Sequence, residues 1–190
     1  MKKLLTIALL ALASTPAMAA PPPAPKAVVL DRVAILQVSK VGRDIARQLQ
    51  ALNNQTKVNF QAQQKALAAE GQQLRQQVAI MAADQRQKRE DAFNAKVRSL
   101  DDMAQRRAAQ IQQASQVSSQ AVAQALGPII EEIVKERGAN MVLDKQAVIY
   151  ASSNAFDITP DAIARLDAKL PTYKVVLGAV PAQPDAATGK

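Results

Sequence analysis

The stretch from Arg43 to Leu126 constrains the fold of this chain more than any other part of the sequence. It contains no proline and a single glycine, Gly71, and it is rich in Ala, Gln, Lys, Arg, Leu and Glu. These residues lose the least free energy on entering a helix. Apolar residues recur in it at helical spacing, but only as a narrow stripe: Ile45, Leu49, Leu52, Phe60, Leu67, Leu74, Val78, Phe93, Val97, Leu100, Ala104, Ile111 and Val122. The stripe predicts long helix with less apolar surface than a globular core requires.

The stripe fades between residues 81 and 91, which predicts two helices instead of one. A single helix over the whole stretch would reach roughly 126 Å at 1.5 Å per residue. Asp84, followed three residues later by Gln87, resembles a capping box that opens a second helix. The apolar spacings on the two sides of the fade mirror each other. They predict an antiparallel hairpin that pairs Val78 with Phe93, Gly71 with Leu100 and Ile45 with Leu126. An uninterrupted helix in a dimeric coiled coil is the alternative.

The first residues predict export. Lys2 and Lys3 precede an apolar run over residues 4–13, and Ala17-Met18-Ala19 is a small-x-small cleavage pattern. Residues 1–19 therefore have the organisation of a cleavable signal peptide, and we expect the mature chain in a bacterial periplasm. The proline-rich leader at 20–27 and the tail at 178–190 are expected to be disordered.

Two β-rich segments flank the hairpin, at residues 28–42 and 127–177, and together they predict a small body. The β-branched run at 28–38 predicts one strand, with Ser39 as N-cap of the following helix. Gly127-Pro128 predicts a break or a kink in the long helix. Residues 141–143 and 147–151 predict a β-hairpin. Thr159 is expected to cap a last helix that ends at Pro171, and residues 173–177 are expected to be extended.

Composition excludes several classes of site. The chain has no His and no Cys, so thiol nucleophiles, disulfides and Cys/His metal centres are excluded. It has no Walker A motif and no pair of carboxylates in an apolar setting, so we expect no enzyme activity, no cofactor and no metal. The formal net charge of +8 indicates acidic partners.

The arrangement resembles the Skp/OmpH family of periplasmic chaperones. The specific segments are Val33–Gly42, Val134–Asp144 (VKERGANMVLD), Ala147–Ala151 (AVIYA) and Asp157-Ile158-Thr159. The resemblance implies an α+β fold, in which a long antiparallel helical hairpin, or coiled-coil tentacle, projects from a small β-rich trimerisation body. It also implies a homotrimer that holds unfolded outer-membrane proteins in a cavity between its tentacles, without ATP, and prevents their aggregation during transit.

Three sets of residues are candidates for function. Arg86, Lys88 and Arg89 at the predicted hairpin tip are expected either to be a solvated helix end or to contact client, lipopolysaccharide or an anionic membrane surface. Gly71 is expected either to be a hinge or to accommodate Leu100. The proposed oligomerisation residues lie in the body: Val33, Ile35, Val142, Val148, Ile149 and Tyr150. Arg106 and Arg107 are expected on solvated faces or in ion pairs with the nearby Asp101 and Asp102.

The alternative function is that of an exported structural coiled coil, or of one that binds nucleic acid or anionic lipid. A basic helical pair can neutralise a phosphate backbone without reading its sequence. The export signal and the scarcity of aromatics for base stacking count against nucleic acid, and we expect no specific nucleic-acid partner.

Overall fold

The computed structural model describes residues 24–178. Four helices and two short strands follow one another along the chain: β1 (Ala27–Leu30), α1 (Arg32–Val38), α2 (Lys40–Val78), α3 (Ala83–Arg137), β2 (Met141–Asp144) and α4 (Thr159–Lys169). Single 3-10 turns cover Lys145–Ala147 and Asn154–Phe156. The fold is therefore mostly helical with a small strand pair. The predicted signal peptide, the first residues of the predicted leader and the residues beyond Gly178 lie outside the described residues.

Helices α2 and α3 form the expected antiparallel hairpin. They are joined by the four residues Ala79–Ala82, and Lys96 pairs with Glu70 across the two helices at 2.5 Å. The predicted capping box is wrong: Ala82 occupies the N-cap position without a side-chain cap, and Asp84 lies in the first helical turn. The polar run after it remains helical because it is made of good helix formers.

The predicted register of the hairpin is also wrong in its outer half. The ring of Phe93 lies against Gly71, where Leu100 was expected. The shift arises because the turn is short and falls before the polar run, so α3 begins earlier than the fading stripe suggests. At the base, Ile45 and Leu126 both belong to the core of the body.

Only the first part of the predicted strand at 28–38 is extended, and the rest of it is helical. Only Ala27–Leu30 is extended, and Val33 and Ile35 lie in α1. The Asp31 carboxylate caps α1 by accepting from the Ala34 N–H at 2.8 Å, and burial of Ile35 in the core outweighs the strand preference of the β-branched run. Ser39 caps α2 as predicted, through its hydroxyl and the Gly42 N–H.

Helix α3 continues through Gly127-Pro128, so of the predicted break or kink the break is wrong. A proline inside a helix removes one hydrogen bond and clashes with the preceding turn. The residue before a proline is normally driven out of the helical conformation by its Cβ, and Gly127 has none. Ile129 and Ile133 follow directly and are buried, which holds this part of the helix in place.

The two strands pair in parallel, with Ala27 opposite Met141 and Leu30 opposite Asp144. The predicted β-hairpin is wrong, because the chain turns at Lys145–Ala147 and residues 148–151 form no strand. The end of the leader is ordered, contrary to expectation. The Asn140 side-chain oxygen accepts from the Lys26 N–H, and the Asn140 N–H donates to the Lys26 carbonyl, both at 2.9 Å.

The core lies where β1, α1, α4 and the basal ends of α2 and α3 meet. Its most buried members include Ile35, Val41, Ile129, Ile133, Ile158 and Leu166. Thr159 does not cap α4 as predicted. Its hydroxyl instead accepts from the Asp31 N–H at 2.9 Å and so joins α4 to the end of β1.

The segment 171–178, called the strap below, extends from the end of α4 along the base of the hairpin. Tyr173, Val175 and Leu177 are half-buried while the residues between them are exposed. This alternation is that of an extended strand, although the strap pairs with a helix.

Candidate functional site

An open cleft lies between α2 and α3, near the middle of the hairpin. Its volume is about 490 Å³. It is lined from α2 by Leu52, Gln55, Thr56, Asn59, Phe60 and Gln63, and from α3 by Ser99, Met103, Arg106, Arg107 and Gln110. Apolar, amide and guanidinium groups therefore share one surface, and no carboxylate is among the described lining residues. This surface is called the cleft below.

The hairpin carries most of the excess positive charge of the described chain. Between Arg43 and Leu126 the sequence has twelve Lys and Arg against seven Asp and Glu. The described remainder, residues 24–42 and 127–178, has nine against eight. Arg106 is exposed, as expected of a solvated face, and Arg107 is half-buried; both also line the cleft. The hairpin can therefore attract acidic polypeptides or other anions over a distance.

The seam between the two helices is thin, as the apolar stripe predicts. Beyond the cleft, a shallow cavity of about 270 Å³ is lined by apolar residues including Leu67, Phe93, Val97 and Leu100. Gly71 is buried in the continuous helix α2, and a Cβ built on it would lie 3.0 Å from Cζ of Phe93. This contact favours the packing interpretation of Gly71, with Phe93 in place of Leu100.

Arg86, Lys88 and Arg89 lie in the first two turns of α3, directly after the turn that ends the hairpin. All three are exposed. The nearby Ile80 is 88% exposed, so an apolar side chain stands beside the basic cluster. The structure thus places these residues at the tip, and their partner stays a prediction.

In a single chain, the body exposes large apolar side chains to solvent. These are Val33, Leu36, Val38, Met141, Val142, Leu143, Ile149, Tyr150 and Phe156. Of the proposed oligomerisation residues, Ile149 is fully exposed, Tyr150 is 81% exposed and Val148 is half-buried. Ile35 is 1% exposed and belongs to the core of the single chain, so it is not available to a partner.

Ion pairs and hydrogen bonds in the body shift the pKa values of its carboxylates. The hydrogen bond from Arg47, with further bonds from Tyr173 and Gln48, holds the pKa of Asp44 below its usual range. Burial raises the pKa of Asp157, but hydrogen bonds from Lys145 and Thr159 outweigh it and lower the pKa overall. Between residues 24 and 178, no group of His, Cys, Asp and Glu is arranged to hold a metal ion.

Sequence reasoning predicted the extended conformation of residues 173–177, but it missed the cleft and the contacts of the strap with α2. The stripe marks Leu52 and Phe60, but the amides Gln55, Asn59 and Gln63 look like ordinary solvated residues in the sequence. Their spacing of four residues, which places them on one helical face, was the available signal. Within the described part of the chain, no helix is both long and apolar enough to cross a membrane.

Comparisons with known proteins give a family and a fold. The model of the family described as "Outer membrane protein (OmpH-like)" matches residues 26–166. A solved structure from Caulobacter crescentus CB15, described as a candidate OmpH-like outer membrane chaperone, superposes with a TM-score of 0.77 at 23% identity. The match covers 86% of this chain and 96% of that one. The search of curated proteins found no match.

Proposed function

This chain belongs to the OmpH-like family of outer membrane proteins, and from that premise we propose that it is an ATP-independent holdase chaperone of the periplasm. Its clients are unfolded outer-membrane β-barrel proteins, which it holds against the helical hairpins and protects from aggregation. The observation that carries the proposal is the hairpin itself. It combines a thin seam, an open cleft and twelve basic residues against seven acidic ones.

The chemistry of the hairpin suits many weak contacts with a client. Apolar side chains are scattered along it one at a time, such as Val58, Met103 and Val117, each close to half exposed or more. Isolated apolar contacts of this size contribute little individually, so no single one traps the client. The excess of positive charge draws acidic polypeptides to the hairpin. Weak apolar contacts together with charge attraction can retain an unfolded chain, and because each contact is weak, the client can be released without ATP.

The exposed apolar side chains of the body support self-association into a homotrimer. The core formed by β1, α1, α4 and the basal ends of α2 and α3 is small, and small cores of this kind commonly gain stability by association. Val142, Ile149 and Tyr150 would then be covered by neighbouring subunits. Light scattering of the mature chain is expected to give three times the mass of one chain, and a monomer would contradict the trimer.

At the tip, Arg86, Lys88 and Arg89 would contact a client or an anionic membrane surface such as lipopolysaccharide. The adjacent exposed Ile80 would add an apolar contact with acyl chains or with client. Flotation of the mature chain with anionic and with zwitterionic vesicles tests this role. Replacing the three basic residues by Gln should abolish any preference for the anionic vesicles.

The proposed function is tested by dilution of a urea-denatured outer-membrane β-barrel protein into buffer with the mature chain and no nucleotide. Turbidity should stay at baseline once trimer is in excess over client. Raising the salt concentration should weaken protection, since the attraction between exposed charges is screened over about 8–10 Å in ordinary buffer. Aggregation at the rate seen without the protein would overturn the proposal.

A further inference from the structure

The strap is an extended segment of the same chain that the hairpin binds through its backbone. The side-chain amide of Gln48 donates from Nε2 to the carbonyl of Tyr173 at 2.8 Å and accepts, through Oε1, from the Val175 N–H at 2.9 Å. One amide side chain thus pairs with the backbone of residues i and i+2, as a neighbouring strand would. These bonds involve only backbone groups of the strap, so they are independent of its sequence.

Apolar contacts complete the binding of the strap. Tyr173 and Val175 pack against the core, while Lys174 and Val176 between them face solvent. Val175 also lines a cavity of about 260 Å³ with Ala51, and the other lining residues are Gln48, Leu52 and Gln55. An extended segment with alternating side chains therefore fits this face of the hairpin.

The same chemistry continues from the strap into the cleft. Leu52 and Gln55 line both the cavity beside Val175 and the cleft itself. Gln55 is seven residues from Gln48, and Asn59 and Gln63 follow at intervals of four. These spacings place all four amides on one face of α2. Leu52 and Phe60 lie among them, so amide and apolar groups recur along the cleft as they do under the strap.

We propose that the cleft is a binding site for one extended polypeptide segment with alternating apolar and polar residues, bound through its backbone by Gln55, Asn59 and Gln63. Strands of transmembrane β-barrels have this alternation. The occupant is accordingly an unpaired barrel strand of a client. Arg106 and Arg107 at the α3 wall favour segments whose polar residues are acidic. The inference rests on the proposed function and names the client feature that the hairpin recognises.

The test measures binding of a fluorescent peptide to the mature chain by anisotropy. The peptide has ten residues that alternate apolar and acidic or neutral side chains, and the comparison peptide has the same composition with its apolar residues in one block. We expect the alternating peptide to bind more tightly. The triple variant Gln55→Ala, Asn59→Ala, Gln63→Ala should weaken its binding by about tenfold, the loss expected from removing a few hydrogen bonds.

A matched control lies on the opposite face of the same helix. The triple variant Gln50→Ala, Asn54→Ala, Gln61→Ala removes the same side-chain types from exposed positions that do not line the cleft. Its peptide affinity should equal that of the unmodified protein. Circular dichroism checks that both variants keep their helices. Equal affinity of the two triple variants, or equal affinity for the two peptides, would overturn the inference.

Turbidity assays on the same proteins separate the two proposals. If the unmodified protein suppresses client aggregation but the cleft variant binds the peptide as tightly as the unmodified protein does, the strand site is wrong and the holdase proposal stands. If the unmodified protein does not suppress aggregation, the holdase proposal is wrong, and the strand site, which rests on it, is wrong as a client site too.

Discussion

Replacement of Gly42 by Ala tests the junction between α1 and α2 on which the body depends. A Cβ on Gly42 would lie 2.0 Å from the carbonyl oxygen of Leu36 and 2.6 Å from its carbonyl carbon. These are backbone atoms, so no side-chain rotation relieves the overlap. The two helices must move apart, and the hydrogen bond from the Gly42 N–H to the Ser39 hydroxyl is strained with them.

The change in the free energy of unfolding is the sum of one stabilising and two destabilising contributions. Alanine is favoured over glycine in a helix by about 1 kcal/mol. Overpacking a tight contact typically costs about 1–3 kcal/mol, and loss of the N-cap bond costs about 1 kcal/mol. The free energy of unfolding of Gly42→Ala should therefore fall by about 1–3 kcal/mol.

Two variants calibrate this prediction. Gly71→Ala meets a side chain, the Phe93 ring at 3.0 Å, which can move slightly. Its unfolding free energy should stay within about 1 kcal/mol of the unmodified protein, because the helix preference and the contact oppose each other. Ala62→Gly, at an exposed position of α2, should lose about 1 kcal/mol and measures helix preference in this protein.

The assay is urea unfolding followed by circular dichroism at 222 nm, at one fixed protein concentration because self-association shifts apparent stability. The expected order of stability places Gly42→Ala below Gly71→Ala. If Gly42→Ala were as stable as the unmodified protein, the close approach of α1 to α2 would be wrong.

Three further changes test the body and the long helix. Thr159→Val leaves the Asp31 N–H unpaired and should cost about 1–3 kcal/mol of unfolding free energy; Thr159→Ser keeps the hydroxyl and should cost less, and equal losses would contradict this role of the hydroxyl. Pro128→Ala should raise stability, by up to about 3 kcal/mol, because it removes a proline from a continuous helix; destabilisation would indicate that α3 needs the proline. Asp44 and Asp157 have lowered pKa values, so the stability they contribute is complete above their unfolded pKa and is lost as the pH falls below about 4. Urea midpoints should be level between about pH 6 and 8, since the chain has no histidine, and a fall within that window would contradict the assignment.

The hairpin could be predicted from the sequence because its determinants are local. Helix preference, the absence of proline and the apolar stripe all act within a few turns, and they predicted α2, α3 and their antiparallel pairing. The register could not be fixed in this way. Several positions of the mirrored stripe are alanine or polar, so pairings one or two turns apart bury similar apolar area.

The body was harder to predict because its structure depends on contacts distant in sequence. Val33 to Val38 prefer a strand locally, but Asp31 and the burial of Ile35 make the segment helical. Ala147 to Ala151 look like a strand, but the described sheet consists of β1 and β2 and gives that segment no partner. The cleft was missed because glutamine and asparagine on a helix are common, and only the pairing of α2 with α3 gives them a shared surface.

Site-specific photo-crosslinking to an unfolded client tests most directly whether the hairpin holds it. A photoreactive amino acid is placed at Val58 or Lys65 on α2, at Val117 on α3, and at the exposed Lys169 of α4 as the body control. With a urea-denatured β-barrel outer-membrane protein diluted into the mixture, the hairpin positions should give strong cross-links and Lys169 weak ones. Equal cross-linking from Lys169, or none from the hairpin positions, would contradict the claim that the hairpin is the client-holding part of this protein.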